Sequence, residues 1–277
     1  MLTLGKKKKN FFLLSLNRIF VTIFAGVMKK NLTRHIPNAI TCCNLLSGCV
    51  ATVLALRGDY LHAFLFIIIG AVFDFFDGMS ARLLRVSSPI GKELDSLADV
   101  VTFGVAPSAM VFTLLKSLCV QFPLPASSLV MLVVPYTAFL LAAFSALRLA
   151  RFNLDERQTY SFIGLPTPAN ALFWGSLACK IGGQEVYGVN PSILTDTIIV
   201  VVLLFCWLLV SPLPMFSLKF RSSKWKENRT RYIFLFGCCI LINFLGIGSF
   251  AAIIGWYIAL SLIDHQISKP SVPNPEA

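Results

Sequence analysis

Apolar residues in this chain come in blocks of roughly twenty, divided by short polar connectors, and that spacing limits the fold more than any other feature. An α-helix needs about 20 residues to cross a hydrocarbon core of ~30 Å. Barrel strands would be about half as long and would alternate apolar with polar residues. The blocks do neither, so the sequence predicts an all-α integral membrane protein. Composition agrees: 56% of residues are hydrophobic and 13% charged, about half the charge of a soluble globular domain.

Eight transmembrane helices are expected, at roughly 38–56, 60–83, 92–116, 128–149, 165–182, 192–211, 231–246 and 249–264. Gly, Pro and Ser mark the connectors, as in Arg57-Gly58-Asp59, Ser87-Ser88-Pro89 and Ser211-Pro212-Leu213-Pro214. Residues 11–28 are apolar but broken by Asn17 and Arg18, with lysines on both flanks. A signal peptide would be followed by a small-x-small cleavage site, and none follows. An interfacial amphipathic helix on the cytoplasmic face fits better. The expected organisation is a basic segment over 1–36, one membrane domain over 37–264 and a tail over 265–277.

With a cytoplasmic N-terminus, 21 of the 24 Lys and Arg fall in inner segments, and only Arg57, Lys116 and Lys180 fall outside. That asymmetry is what the positive-inside rule requires, so both termini are expected in the cytoplasm and the number of crossings is even. The formal charge of +11 is therefore topological, attracting anionic membrane lipids, and no nucleic acid is expected as a partner. The eight cysteines sit singly or as adjacent pairs within apolar blocks, without metal-ligand spacing, and read as small core residues.

Four carboxylates do not belong in such blocks. Asp74, Asp77, Asp95 and Asp99 lie in stretches otherwise apolar enough to cross a bilayer, where each ionisable group costs about 3 kcal/mol on insertion scales. At the helical repeat, Asp74 and Asp77 lie about 60° apart, and Gly78 and Ala81 share their face. On the following helix Gly91, Asp95 and Asp99 are successive i, i+4 positions. The turn around Ser87-Ser88-Pro89 folds one face toward the other, so the four carboxylates can converge. Oxygen ligands without His or Cys select hard cations such as Mg²⁺, Mn²⁺ or Ca²⁺, and four of them suit two ions bridging a phosphate group. Gly78 and Ala81 leave room for a phosphate or nucleotide near the backbone, and Arg82 can pair with phosphate.

Asp74-x-x-Asp77-Gly78-x-x-Ala81-Arg82, then Gly91-x-x-x-Asp95-x-x-x-Asp99, resembles the full signature of the CDP-alcohol phosphotransferase family in all eight fixed positions and every spacing. The resemblance implies two divalent metal ions (Mg²⁺ or Mn²⁺), one held by Asp74, Asp77 and Asp95 and the other by Asp74, Asp95 and Asp99. It makes Asp99 the base for the incoming alcohol. It also places the CDP-diacylglycerol nucleotide against Asn38, Thr41, Gly78 and Arg82, with Ser88 near a phosphate. Asn38 and Thr41 fit equally well as the cap and first turn of the first helix.

Further segments resemble one branch of that family, the membrane-spanning enzymes that make phosphatidylserine. They include Pro37-Asn38-Ala39-Ile40-Thr41 with Asn44 and Gly48, Asp99 to Pro107, Arg148-Leu149-Ala150-Arg151-Phe152-Asn153 and Gly164-Leu165-Pro166-Thr167-Pro168. This likeness implies transfer of a phosphatidyl group from CDP-diacylglycerol to L-serine with release of CMP, in a homodimer of the bacterial inner membrane whose active site faces the cytoplasm. Arg148 and Arg151, three apart on one face, and Asn153 could receive the serine carboxylate, although positive-inside anchoring explains the arginines as well. Two alternatives stand beside this. One is a transferase of the same family using glycerol 3-phosphate or inositol phosphate, which would need more cationic charge at the acceptor. The other is a cation-coupled transporter, which predicts inverted repeats or broken helices that the sequence does not show.

Overall fold

The computed structural model describes residues 32–86, 88–121, 132–154, 162–182, 190–216 and 225–268. The segment expected as an interfacial helix over 11–28 lies outside the described residues, as does the tail from 269 onward.

Helix α1 (Leu32–Leu56) begins six residues before the predicted start and contains Pro37. Neither Asn38 nor Thr41 therefore caps it. The chain reverses at Gly58, whose φ of 76° suits a residue without Cβ. Asp59 then caps α2 (Tyr60–Leu84) by accepting from the His62 amide at 3.3 Å. Arg85 ends α2 in the left-handed region, with φ 53°. Ser88 opens α3 (Pro89–Asp99), its hydroxyl accepting from the Gly91 amide at 3.0 Å, and Pro89 occupies the first turn, where its missing N–H does no harm.

The helix predicted as one continuous span over 92–116 is locally unwound. A π-helical turn at Val100–Val105 joins α3 to α4 (Ala106–Cys119). Its centre, Thr102, is wedged between Gly48 of α1 and Gly70 of α2, where a Cβ on either glycine would collide with it. Its hydroxyl donates to the Asn44 carbonyl at 3.0 Å. On the other side Gly104 packs against Ala142 and Ser145. Small residues let three backbones approach closely here, as membrane helix packing requires.

A 3₁₀ turn at Val134–Phe139 leads into α5 (Leu140–Leu154). Helix α6 (Thr167–Gly182) has 16 residues, about 24 Å of rise and so shorter than a hydrocarbon core. It lies within the bundle, with Gly175 against Phe64, Gly182 against Tyr60 and Trp174 fully buried. Helix α7 (Pro191–Val210) follows. A two-residue pairing of β1 (Phe162–Ile163) with β2 (Pro214–Met215), plus Leu165 donating its amide to the Leu208 carbonyl at 3.0 Å, ties the entry of α6 to the exit of α7.

Helices α8 (Trp225–Leu245) and α9 (Ser249–Ser268) are joined by a 3₁₀ turn at Gly246–Gly248. They fold back on one another: Thr230 donates to Asp264 at 2.8 Å, and Trp256 fills the space beside Gly237. Among the described residues there are thus eight helical rods, at the positions the sequence predicts. Six stretches are long and apolar enough to cross a membrane, with α8 and α9 falling within one of them and α6 too short. Large apolar side chains such as Phe75, Val200, Trp207 and Phe244 project outward, which lipid tolerates and water would not. The chain is an all-α multi-pass membrane protein.

Candidate active site

Helices α2 and α3 bring their carboxylates together at the end of the bundle where the α2–α3 turn lies. Ligand oxygens of Asp74, Asp95 and Asp99 all lie within 4.8 Å of one another. Asp99 is 8% exposed and Asp77 6%. Asp77 sits beside the trio rather than in it, its Oδ2 accepting from the Thr41 hydroxyl at 2.7 Å. Asp99 Oδ1 accepts from the Asn44 amide at 3.1 Å. Asp95 Oδ1 is buried without a hydrogen-bond partner among the described residues, and no Lys or Arg among them forms an ion pair with any of the four.

Like charges this close, away from bulk water, repel strongly. The arrangement is stable as a set of anions only with positive charge between them. Asp74, Asp95 and Asp99 form a cluster that could hold a metal ion, and an all-oxygen donor set suits a hard divalent cation. The orphaned Asp95 oxygen fits that use.

A cavity of about 210 Å³ opens beside the carboxylates. Four residues expected near the nucleotide, Asn38, Thr41, Gly78 and Ser88, line it with Asp77, Asp95 and Lys92. A Cβ at Gly78 would meet only Arg82 Nη2, at 4.0 Å, so the glycine faces open space. Arg82 itself is exposed at the rim, its Nε donating to the Gly78 carbonyl at 2.9 Å.

The three residues expected to meet serine are not brought together equally. Arg148 is buried, donates from Nη1 to Thr167 Oγ1 at 3.3 Å and stacks 5.4 Å over the Phe152 ring. Arg151 is exposed and makes no such contact among the described residues. The Asn153 amide donates to Ser96 Oγ at 2.8 Å, and its carbonyl accepts from Lys92 Nζ at 3.0 Å. Ser96 in turn donates to the Lys92 carbonyl at 3.2 Å. Asn153 therefore clasps the end of α5 to α3.

With this geometry in view, the CDP-alcohol phosphatidyltransferase family model matches residues 34–208, which hold all four aspartates and the whole cavity. The chain belongs to the CDP-alcohol phosphatidyltransferase family. It is 38% identical over 138 residues to the CDP-diacylglycerol–serine O-phosphatidyltransferase of Bacillus subtilis, covering 48% of this chain and 70% of that relative. A protein of that name from Saccharomyces cerevisiae is 36% identical over 169 residues, covering 55% of this chain and 56% of the relative. One from Helicobacter pylori is 34% identical over 138 residues, covering 49% and 54%. The match thus spans little more than half the length of the last two.

Three residues of this phosphatidyltransferase site escaped the sequence reading. Asn44, noted there for the likeness alone, holds Asp99, and its face could have been found from Thr41, Asn44 and Gly48 at i, i+3 and i+7. Lys92 precedes Asp95 by three residues and shares its face, at the unassigned motif position directly after Gly91. Thr167 was noted only within the Gly164 to Pro168 likeness, and its contact with Arg148 across helices left no local signal.

Proposed function

We propose that this chain transfers the phosphatidyl group of CDP-diacylglycerol to the hydroxyl of L-serine, releasing CMP. The convergence of three aspartates beside a cavity lined by Asn38, Thr41, Gly78 and Ser88 carries the reading, and the likeness to CDP-diacylglycerol–serine O-phosphatidyltransferases from three organisms supports it.

In this reading Asp74, Asp77 and Asp95 would hold one divalent ion and Asp74, Asp95 and Asp99 the other, and Mg²⁺ or Mn²⁺, when bound, would supply positive charge to neutralise the donor pyrophosphate. Asn38, Thr41 and Gly78 receive the nucleotide, Ser88 lies near a phosphate and Arg82 pairs with phosphate from the rim. Asn44 fixes one oxygen of Asp99 and so orients the carboxylate. Asp99 takes the serine hydroxyl proton as the serine oxygen bonds to the lipid-side phosphorus. The bond from that phosphorus to the CMP phosphate oxygen breaks, and CMP leaves. Arg148 receives the serine carboxylate. Arg151 adds positive charge at the mouth, and Asn153 shapes the same end of the pocket through Ser96.

The membrane domain extends over 37–264, flanked by a basic interfacial segment and a tail. Its crossings are even in number with both termini in the cytoplasm, where both substrates originate, so the site faces the cytoplasm of a bacterial inner membrane. The functional unit is a homodimer. Purified protein incubated with CDP-diacylglycerol, Mn²⁺ or Mg²⁺ and a panel of alcohols, scored by CMP release, tests the reading. CMP release that depends on L-serine is expected. Release driven instead by glycerol 3-phosphate or inositol phosphate would replace serine as the acceptor.

A further inference from the structure

Asn170 is 0% exposed, and neither its amide nitrogen nor its carbonyl oxygen has a hydrogen-bond partner among the described residues. A buried carboxamide with both ends unmet is rare in a folded protein and calls for a partner outside the side-chain packing. Its position says what that partner is. Asn170 follows Thr167 by three residues at the start of α6, so the two share a face with about 5–6 Å between their Cβ atoms. Thr167 accepts from Arg148 Nη1, and Arg148, also nine-tenths buried, keeps its Nε without a partner among the described residues. The unpartnered Asn170 carboxamide therefore lies about one helical turn from the threonine that Arg148 meets, and that guanidinium keeps a buried N–H of its own unpartnered.

We propose that Asn170 selects the acceptor by reading its ammonium group. This rests on the reading of the site as one that phosphatidylates an amino-acid hydroxyl. In an α-amino acid the carboxylate and the ammonium hang from one carbon, so the groups that bind them must sit within about one helical turn of each other. Arg148 supplies the donor for the carboxylate. Asn170 supplies a neutral carbonyl oxygen that accepts from the ammonium, where a further cation would repel it. The same pair disfavours a phosphorylated acceptor, which needs more cationic charge and offers the Asn170 carbonyl only neutral hydroxyls in place of an ammonium.

Asn170→Leu tests this, because leucine matches the shape of asparagine and removes both polar ends. Serine-dependent CMP release is measured with saturating CDP-diacylglycerol and Mn²⁺. 3-Hydroxypropionate, which keeps the carboxylate and hydroxyl of serine but lacks the amine, serves as a competitor. The serine KM is expected to rise about tenfold to a hundredfold, as for a lost hydrogen bond to a charged group. The Ki of 3-hydroxypropionate and the KM for CDP-diacylglycerol stay at their wild-type values. Asn170→Asp, which keeps an oxygen for the ammonium, recovers part of the loss. An unchanged serine KM in Asn170→Leu, or a rise matched by the Ki of the competitor, overturns the proposal. Should the leucine variant fail to survive extraction, Asn170→Ala is read by the same ratio. Wild-type protein without serine-dependent CMP release would instead sink the reading of the site, and the role of Asn170 with it.

Discussion

Two regions of this molecule invert what a soluble protein would do. The stretch from Pro89 to Cys119, which carries Asp95 and Asp99, has 67% of its span-length window buried, whereas the α8–α9 hairpin has 11%. Yet the second is the more uniformly apolar, with Phe236, Ile242 and Phe244 exposed along it. In water the apolar element would go inside. In lipid an apolar surface loses nothing by exposure, while carboxylates must be shielded and compensated, so the rod that carries them buries Asp99 at the end of α3 and continues into the centre through the π-turn and α4. The difference separates two kinds of contribution: α2 and α3 hold chemistry at a cost in repulsion, and α8 and α9 pack on one another and present apolar surface outward. The family match reflects it, reaching from 34 to 208 and stopping before the last hairpin.

The contrast breaks most easily at the carboxylates. Stripping divalent ions with a chelator should reduce CMP release to background, and adding Mn²⁺ or Mg²⁺ should restore it; turnover that survives the chelator would remove the reason for clustering the aspartates. Asp99→Asn should lower kcat by about 10²–10⁴-fold, the range for a lost general base. Because it also relieves repulsion, thermal stability measured without metal should stay level or rise. A fall in melting temperature would show that Asp99 holds the fold instead.

Smaller effects sharpen the same division. Arg148→Ala should raise the serine KM about tenfold to a hundredfold, and an unchanged KM would remove it from the acceptor pocket. Ser96→Ala cuts the clasp between α3 and α5, an interaction worth about 1 kcal/mol. A severalfold rise in serine KM without change in the CDP-diacylglycerol KM is expected, and equal effects on both substrates would refute the clasp. Thr230→Val in the last hairpin should lower stability in detergent by about 1 kcal/mol by leaving Asp264 without its donor. Turnover per folded molecule should not move, and any loss there would place α8 and α9 within the chemistry.

Much of this was legible in one dimension. Blocks of the length of a membrane crossing located all eight rods, and i, i+3 and i, i+4 spacing put the aspartates on two facing stripes. What was lost was whatever depends on contact between distant segments. The π-turn at Val100–Val105 has no composition signal, since it forms where Thr102 meets Gly48 and Gly70. The early start of α1 was hidden because Pro37 reads as a helix boundary, although a proline near the first turns is tolerated. Asn153 looked like a ligand for serine because it follows two arginines, but its amide lies on Ser96, 57 residues away. Asn170 gave no sequence signal at all, since its distinction is to be surrounded by nothing it can pair with.

Helix α1 contributes no aspartate, yet Thr41 grips Asp77 of one motif helix and Asn44 grips Asp99 of the other. Those two residues are three apart on a rigid rod, so the rod works as a gauge block for the reaction centre. When it tilts in the bilayer, both anchored acids travel with it and the separation between them is preserved.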